Sequence, residues 1–210
     1  MKYEWKIIGV NPVWISVLLT VTFFMVCGTG GENIHWGYLG FEVIFPFYAS
    51  VVIGEWCKIR TDPMFDVICA QGKSLFLWIL RRFFLLFCFV VIFALIGILG
   101  LVFLKSGMSI SDLLLTFLPT AFFLSSLSIF ISVLADVQHI PTMVSGVIWL
   151  FSIMSMSLLR FSSVQYIYLF IRYAGINAPL WILNKFLLFI SGLLIWGGVY
   201  VVCRKRAWGK

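Results

Sequence analysis

Charged residues are scarce in this chain of 210 residues. Only 11% are Asp, Glu, Lys or Arg, whereas 62% are hydrophobic and the mean hydropathy is +1.10. A soluble domain of this size cannot bury that much apolar side-chain surface, so a soluble fold is excluded. The hydrophobic runs are unbroken rather than alternating, which excludes a transmembrane β-barrel. The composition therefore predicts an all-α polytopic membrane protein.

Motifs of catalysis and metal binding are lacking as well. The five cysteines have no regular spacing and form no CxxC, and neither HExxH nor GxSxG occurs. His35 and His139 are predicted on opposite sides of the membrane, so they cannot share a metal. The Gly-Lys-Ser at 72–74 lacks the earlier glycine of a phosphate-binding loop, because Val67 occupies that position. The sequence therefore predicts that the chain is not an enzyme and that it has no cofactor site or nucleotide site of its own.

Six apolar runs are long enough to cross a bilayer as helices. They cover residues 12–27, 38–57, 76–104, 112–134, 141–159 and 180–203 approximately. Between the fifth and sixth runs, the apolar stretch 164–171 is too short to span and predicts a short re-entrant or interfacial helix. We find no internal repeat or linker, so residues 1–210 are predicted to form one transmembrane domain.

Basic residues are distributed unequally between the two sides of these helices. Eleven fall on the side of both termini and four on the other side. The eleven are Lys2, Lys6, Lys58, Arg60, Lys73, Arg81, Arg82, Arg204, Lys205, Arg206 and Lys210. The positive-inside rule predicts a multi-pass plasma-membrane protein with both termini cytoplasmic. Orientation explains the net charge of +7, so nucleic acid is not an expected partner.

Residues 58–75, here called the arm, form the longest polar connection on the predicted cytoplasmic side. Asp62 is a suitable N-cap and Pro63 suits the first helical turn. At helical spacing, apolar residues including Met64 and Ile68 lie opposite Asp66 and other charges. This pattern predicts an amphipathic helix in the membrane interface. A solvated loop helix without a partner is the alternative.

Glu42 and Lys185 are charged residues that fall inside predicted helices, a few residues from the non-cytoplasmic end of each helix. Glu42 belongs to the second helix and Lys185 to the sixth. Intramembrane charges are candidates for function, and these two could pair. The favoured interpretation is that each side chain reaches the headgroup region.

Small hydroxyl residues follow one face of the fourth helix and one face of the fifth. They are Ser125, Ser128 and Ser132 in the fourth, and Thr142, Ser145 and Ser152 in the fifth. Such residues allow close helix packing, which is the favoured interpretation, and a polar path is the alternative.

The order of these features resembles the ABC-2 type permeases, the membrane subunits of ABC exporters. Six helices, cytoplasmic termini, an arm between helices 2 and 3 and a re-entrant piece between helices 5 and 6 carry the resemblance. Glu55 after Gly54 resembles the family's glutamate at the cytoplasmic end of helix 2. The arm then corresponds to the coupling helix that docks on the ATPase. The resemblance implies a coupling role for Glu55, Asp62, Met64, Phe65, Asp66, Ile68 and Lys73.

The resemblance also implies a set of partners and an activity. Two ATP-binding subunits would bring ATP and Mg²⁺, and a second copy or a sister permease would complete the membrane part. Membrane lipids would surround the assembly. The exported molecule is expected to be amphipathic, and peptides are the preferred class, as in exporters of antimicrobial or toxin peptides. The alternative is a stand-alone membrane immunity or regulatory protein without an ATPase.

Overall fold

The structure, a computed structural model, describes residues 11–29, 35–57, 74–104, 109–135, 137, 139–176 and 179–208. Within these ranges the chain is helical and contains no β-strand. The helices are α1 (Asn11–Thr29), α2 (His35–Trp56), α3 (Leu75–Leu104), α4 (Ile110–Leu134), α5 (Ile140–Met154) and α6 (Leu180–Trp208). A 3₁₀ helix, Ser155–Arg160, continues α5.

Five of the described helices are long and apolar enough to cross a membrane: α2, α3, α4, α5 with its 3₁₀ extension, and α6. Residues Asn11–Met25 of α1 form a shorter apolar helix. A helix needs about 20 apolar residues to cross the hydrocarbon core, and these five meet that requirement. The long apolar helices are compatible with the multi-pass membrane protein that the sequence predicts.

The two central helices are α2 and α4. They pack against each other, and α4 also packs along α6 while α1 lies against α3. The main core is aromatic: Phe41 and Phe45 of α2 stack on each other, and Phe23 of α1 meets both rings edge-on. Edge-to-face and offset contacts are the favourable arrangements for such rings.

α5 and α6 keep broad apolar faces exposed. Met143, Val147, Phe151 and Met154 all project from α5, and each is more than half exposed. A soluble protein rarely exposes so large an apolar surface, whereas a lipid-facing helix requires one. This pattern agrees with the composition.

The described helices begin within three residues of the predicted starts, and most end within two residues of the predicted ends. The exceptions are α6, which continues five residues further, and α5, whose α-helical part ends at Met154 before the 3₁₀ helix. The segment between α5 and α6 differs in kind, because only Ser162–Gln165 is helical. Residues 166–175 are built mainly from turns, and 168–171 are buried. Most of the arm, residues 58–73, lies outside the described residues, and so do both ends of the chain. The coupling helix and the six-span count therefore stay predictions.

Candidate functional site

The first turns of α2 contain a π-helix, Leu39–Ile44, that carries Glu42 into the bundle. The Phe45 N–H donates to the Gly40 carbonyl, five residues back. Such i→i+5 turns are rare inside α-helices and occur often at functional sites. In the same turns, the Val43 carbonyl accepts a 2.9 Å hydrogen bond from the indole Nε1 of Trp149 on α5.

Glu42 and Lys185 form an ion pair inside the bundle. The distance from Glu42 Oε1 to Lys185 Nζ is 2.5 Å, and both side chains are fully buried. The Lys185 ammonium also donates to Thr120 Oγ1 on α4 at 2.7 Å and to the Leu169 carbonyl at 3.0 Å. An ammonium has three N–H donors, so all three have acceptors.

The Glu42 carboxylate accepts two more hydrogen bonds, both from backbone amides. Arg172 N–H donates to Oε1 at 3.1 Å, and Tyr173 N–H donates to Oε2 at 2.5 Å. Both amides belong to the turns between α5 and α6. The carboxylate therefore joins α2, α6 and this connecting segment, and Lys185 adds α4. We call Glu42, Lys185 and Thr120 the polar centre.

Asn184, next to Lys185 on α6, holds the same segment from a second point. Its Nδ2 donates to the carbonyls of Gln165 and Tyr168, each at 2.9 Å. The amide side chain is fully buried. Two successive polar residues of α6 thus satisfy three carbonyls of a turn that has few helical hydrogen bonds of its own.

A second, more exposed polar contact closes the same end of the bundle. The Arg172 guanidinium donates from Nη2 to the Tyr38 hydroxyl at 3.0 Å and lies 3.3 Å from Asp112 Oδ2. It also stacks over the rings of Tyr38 and Trp181, at 4.8 and 5.5 Å from their centroids. Cation–π contacts add to the attraction of the ion pair.

The polar centre holds one anion and one cation together at a site without exposed surface. A buried pair is held by mutual attraction and by hydrogen bonds that satisfy the remaining donors and acceptors. The Thr120 hydroxyl accepts a hydrogen bond from the Lys185 ammonium and donates to the Thr116 carbonyl, so no base activates it as nucleophilic catalysis would require. Within the described residues, no group of three or more His, Cys, Asp or Glu side chains could hold a metal ion.

The end of α2 that precedes the arm is attached to the bundle by separate contacts. Arg82 of α3 is buried, stacks over the Trp78 ring at 4.3 Å and donates to the Cys57 carbonyl at 2.6 Å. Cys57 is the last described residue before the arm, which begins at residue 58. Glu55 pairs with the imidazole of His139, which precedes α5, at 2.9 Å. α2, α3 and α5 are therefore connected where the arm begins.

The structure brings together Glu42 and Lys185, and it corrects the favoured interpretation that they reach the headgroup region. Both are fully buried, because the π-turn directs Glu42 toward α6 and connecting-segment amides satisfy it. Glu55 lies beside His139. The remaining coupling candidates, Asp62, Met64, Phe65, Asp66, Ile68 and Lys73, lie outside the described residues.

Three residues of the site were missed by the sequence analysis: Thr120, Arg172 and Asn184. Asn184 carried a usable signal, because Asn-Lys interrupts an otherwise apolar run in the sixth helix. Arg172 lies in a stretch too short to span the membrane, and Thr120 resembles any small helix-packing residue, so neither one indicated a site.

The hydroxyl stripes of α4 and α5 meet in the interior. Ser128 and Ser145 share a 2.8 Å hydrogen bond, and Ser128 also donates to the Ser50 carbonyl of α2 at 3.1 Å. These contacts fit close helix packing.

The described fold defines an all-helical protein with several helices suited to a membrane and a charged centre between them. No protein-family model matches the chain, and neither a curated protein nor a solved structure matches it.

Proposed function

We propose that this chain is the permease subunit of an ATP-driven ABC exporter, a multi-pass plasma-membrane protein with cytoplasmic termini. It would move an amphipathic substrate, with peptide the preferred class, out of the cell. It would hydrolyse nothing itself, since two ATP-binding subunits would supply ATP and Mg²⁺. A second copy or a sister permease would complete the pathway.

The observation that carries this proposal is the construction of α2. Glu55 lies in the last turn of the helix, close to residue 58, where the arm begins. Glu42 lies near the other end of the helix, in the polar centre. Thirteen residues separate the two carboxylates, which is about 20 Å of helix at ~1.5 Å per residue. A helix of this length transmits displacement as a rigid element.

The contacts at the base of the arm support the same mechanism. Arg82 of α3 donates to the carbonyl of Cys57, the residue after α2, and His139, which precedes α5, pairs with Glu55. A force on the arm would therefore be shared by three helices rather than absorbed by a loose loop. An ATPase closing on the arm requires such a rigid attachment. The arm's charges, among them Asp66 and Lys73, are the groups that would face the ATPase.

The decisive experiment is purification of the tagged full chain from its native host in mild detergent. Mass spectrometry of the purified sample should detect an ATP-binding subunit in a stoichiometric amount. The double substitution Asp66→Lys with Lys73→Glu should remove that subunit, because it reverses the charges of the arm. Arg160→Glu is the matched control: it reverses an exposed charge outside the arm and should leave the ATPase bound.

A purified chain without an ATPase would contradict the proposal and favour the stand-alone immunity or regulatory protein. An ATPase that stays bound after the arm charges are reversed would retain the exporter and refute the role of the arm.

A further inference from the structure

The connecting segment, residues 161–176, lies between two points where the regular helix is interrupted. On one side the last turns of α5 tighten into the 3₁₀ helix Ser155–Arg160, which has no buried residue. On the other side Gly175 has a φ of 85° and open space around its Cα. A 3₁₀ stretch within a helix often marks a hinge, and a glycine with positive φ relieves the chain of steric restriction.

Besides turn hydrogen bonds of its own, the segment is attached to the bundle by side chains of other helices. Glu42 accepts the amides of Arg172 and Tyr173, while Asn184 and Lys185 donate to carbonyls at 165, 168 and 169. Backbone groups at membrane depth must have partners, because lipid offers none. These groups find their partners on α2 and α6 rather than within the segment. Releasing those side chains would free the segment without unwinding a helix.

The apolar side chains of the segment cover the space between the helices. Tyr168, Leu169, Phe170 and Ile171 are almost fully buried, in one cluster with Val43, Leu124, Trp181 and Leu188. Removing the segment would expose this cluster together with the polar centre. The segment therefore closes the end of the bundle that is opposite Glu55 and Cys57.

We propose that residues 161–176 form a movable gate and that the charged Glu42–Lys185 pair is its latch. In the closed state the pair binds the backbone of the segment. In the open state Glu42 and Lys185 remain paired, so no isolated charge is left, and the freed amides and carbonyls are hydrated. This inference goes beyond the exporter function, because the gate would open and close with or without an ATPase.

The test measures the accessibility of single cysteines in the purified full chain, after replacement of its five native cysteines. Ile171→Cys reports on the closed gate, since Ile171 is fully buried. With Glu42 intact, this cysteine should react slowly with a small water-soluble methanethiosulfonate. Glu42→Gln should accelerate the reaction by about tenfold or more, as expected when charge-assisted hydrogen bonds are lost.

Two further cysteines distinguish local opening from unfolding. Ala94→Cys is fully buried in α3, away from the segment, and should stay unreactive in both backgrounds. Ser163→Cys is exposed and should react equally fast in both. An unchanged rate at Ile171→Cys would overturn the proposal. Acceleration at Ala94→Cys as large as that at Ile171→Cys would overturn it too, because Glu42→Gln would then act only through unfolding of the whole bundle.

Hydrogen exchange of the unsubstituted protein provides a measurement that does not depend on a variant folding. If the gate opens locally, amides of residues 168–174 should exchange at least about tenfold faster than those in the middle of α2 and α6. Exchange of all three regions at one common rate would contradict a separate opening motion. Neither measurement involves an ATPase, so an error in the exporter proposal would leave the result for the gate intact.

Discussion

Replacing Glu42 by glutamine tests the energetic role of the polar centre. The change keeps the shape of the side chain and one carbonyl oxygen, but it removes the negative charge. Lys185 would then hold a buried ammonium with only Thr120 and the Leu169 carbonyl as remaining strong acceptors. The two charges no longer neutralise each other at a site without exposed surface.

The expected loss follows from the burial of both partners. Removing one member of a buried pair costs about 3–5 kcal/mol, because the other charge stays desolvated. For a chain of this size, each kcal/mol lowers the melting temperature by roughly 2–4 °C, so the shift should be on the order of 10 °C. Lys185→Met should also destabilise, although less, since Glu42 keeps the two amide donors.

The double variant Glu42→Gln with Lys185→Met separates the pair from its members. With both charges gone, no uncompensated buried ion remains, and the glutamine oxygen can still accept one of the two amides. The double variant should therefore be more stable than Glu42→Gln alone, with a coupling free energy of about 2–3 kcal/mol. Single and double variants are compared by heating the detergent-purified chain and measuring the folded fraction by size-exclusion chromatography.

Glu55→Gln is the matched control, because it removes the other carboxylate of α2. Its partner His139 is 65% exposed, and pairs with that much solvent contribute ~0–1 kcal/mol. Glu55→Gln should therefore change the melting temperature much less than Glu42→Gln. Equal shifts for these two variants, or a double variant whose loss equals the sum of the single losses, would refute the energetic role of the buried pair.

Two further pairs of substitutions test the packing of the described helices. Gly40→Ala would place a Cβ only 2.0 Å from the Phe23 ring and should lower the free energy of unfolding by about 1–3 kcal/mol. The Cβ of Gly197→Ala would meet nothing within 4 Å, so this control should be neutral or stabilise by up to ~1 kcal/mol in the same thermal assay. Ser128→Ala and Ser145→Ala, alone and combined, should show a coupling free energy of about 0.6 kcal/mol, which is the average for hydrogen bonds between membrane helices. Stability losses that simply add would contradict the hydrogen bond between these two serines.

The positions of the helices could be predicted from the sequence because each depends on a local property. A run of about 20 apolar residues must be helical in a bilayer, whatever its neighbours are. The bounds of α3 and α4 agree with the predicted ones to within two residues for this reason. Glycine and polar residues between the runs mark the ends.

The polar centre could be predicted only in part, because it depends on which helices are neighbours. Hydropathy places Glu42 and Lys185 near the same end of the bundle, but it equally allows each to reach the headgroups. The π-turn that directs Glu42 inward has no sequence signature of its own. The structure of residues 166–175 follows from acceptors and donors on α2 and α6, which no local window contains.

The energetic character of the polar centre bears on why the segment between α5 and α6 is built as it is. A buried ion pair adds little net stability over well-packed apolar side chains, so rigidity alone gives it no advantage. An apolar replacement, however, could not satisfy the amides of Arg172 and Tyr173 or the Leu169 carbonyl, which have no helical partners. The pair satisfies them while neutralising its own charge. Hydrogen bonds of this kind hold the segment against the bundle without a continuous helix, which is the arrangement that a reversible gate requires.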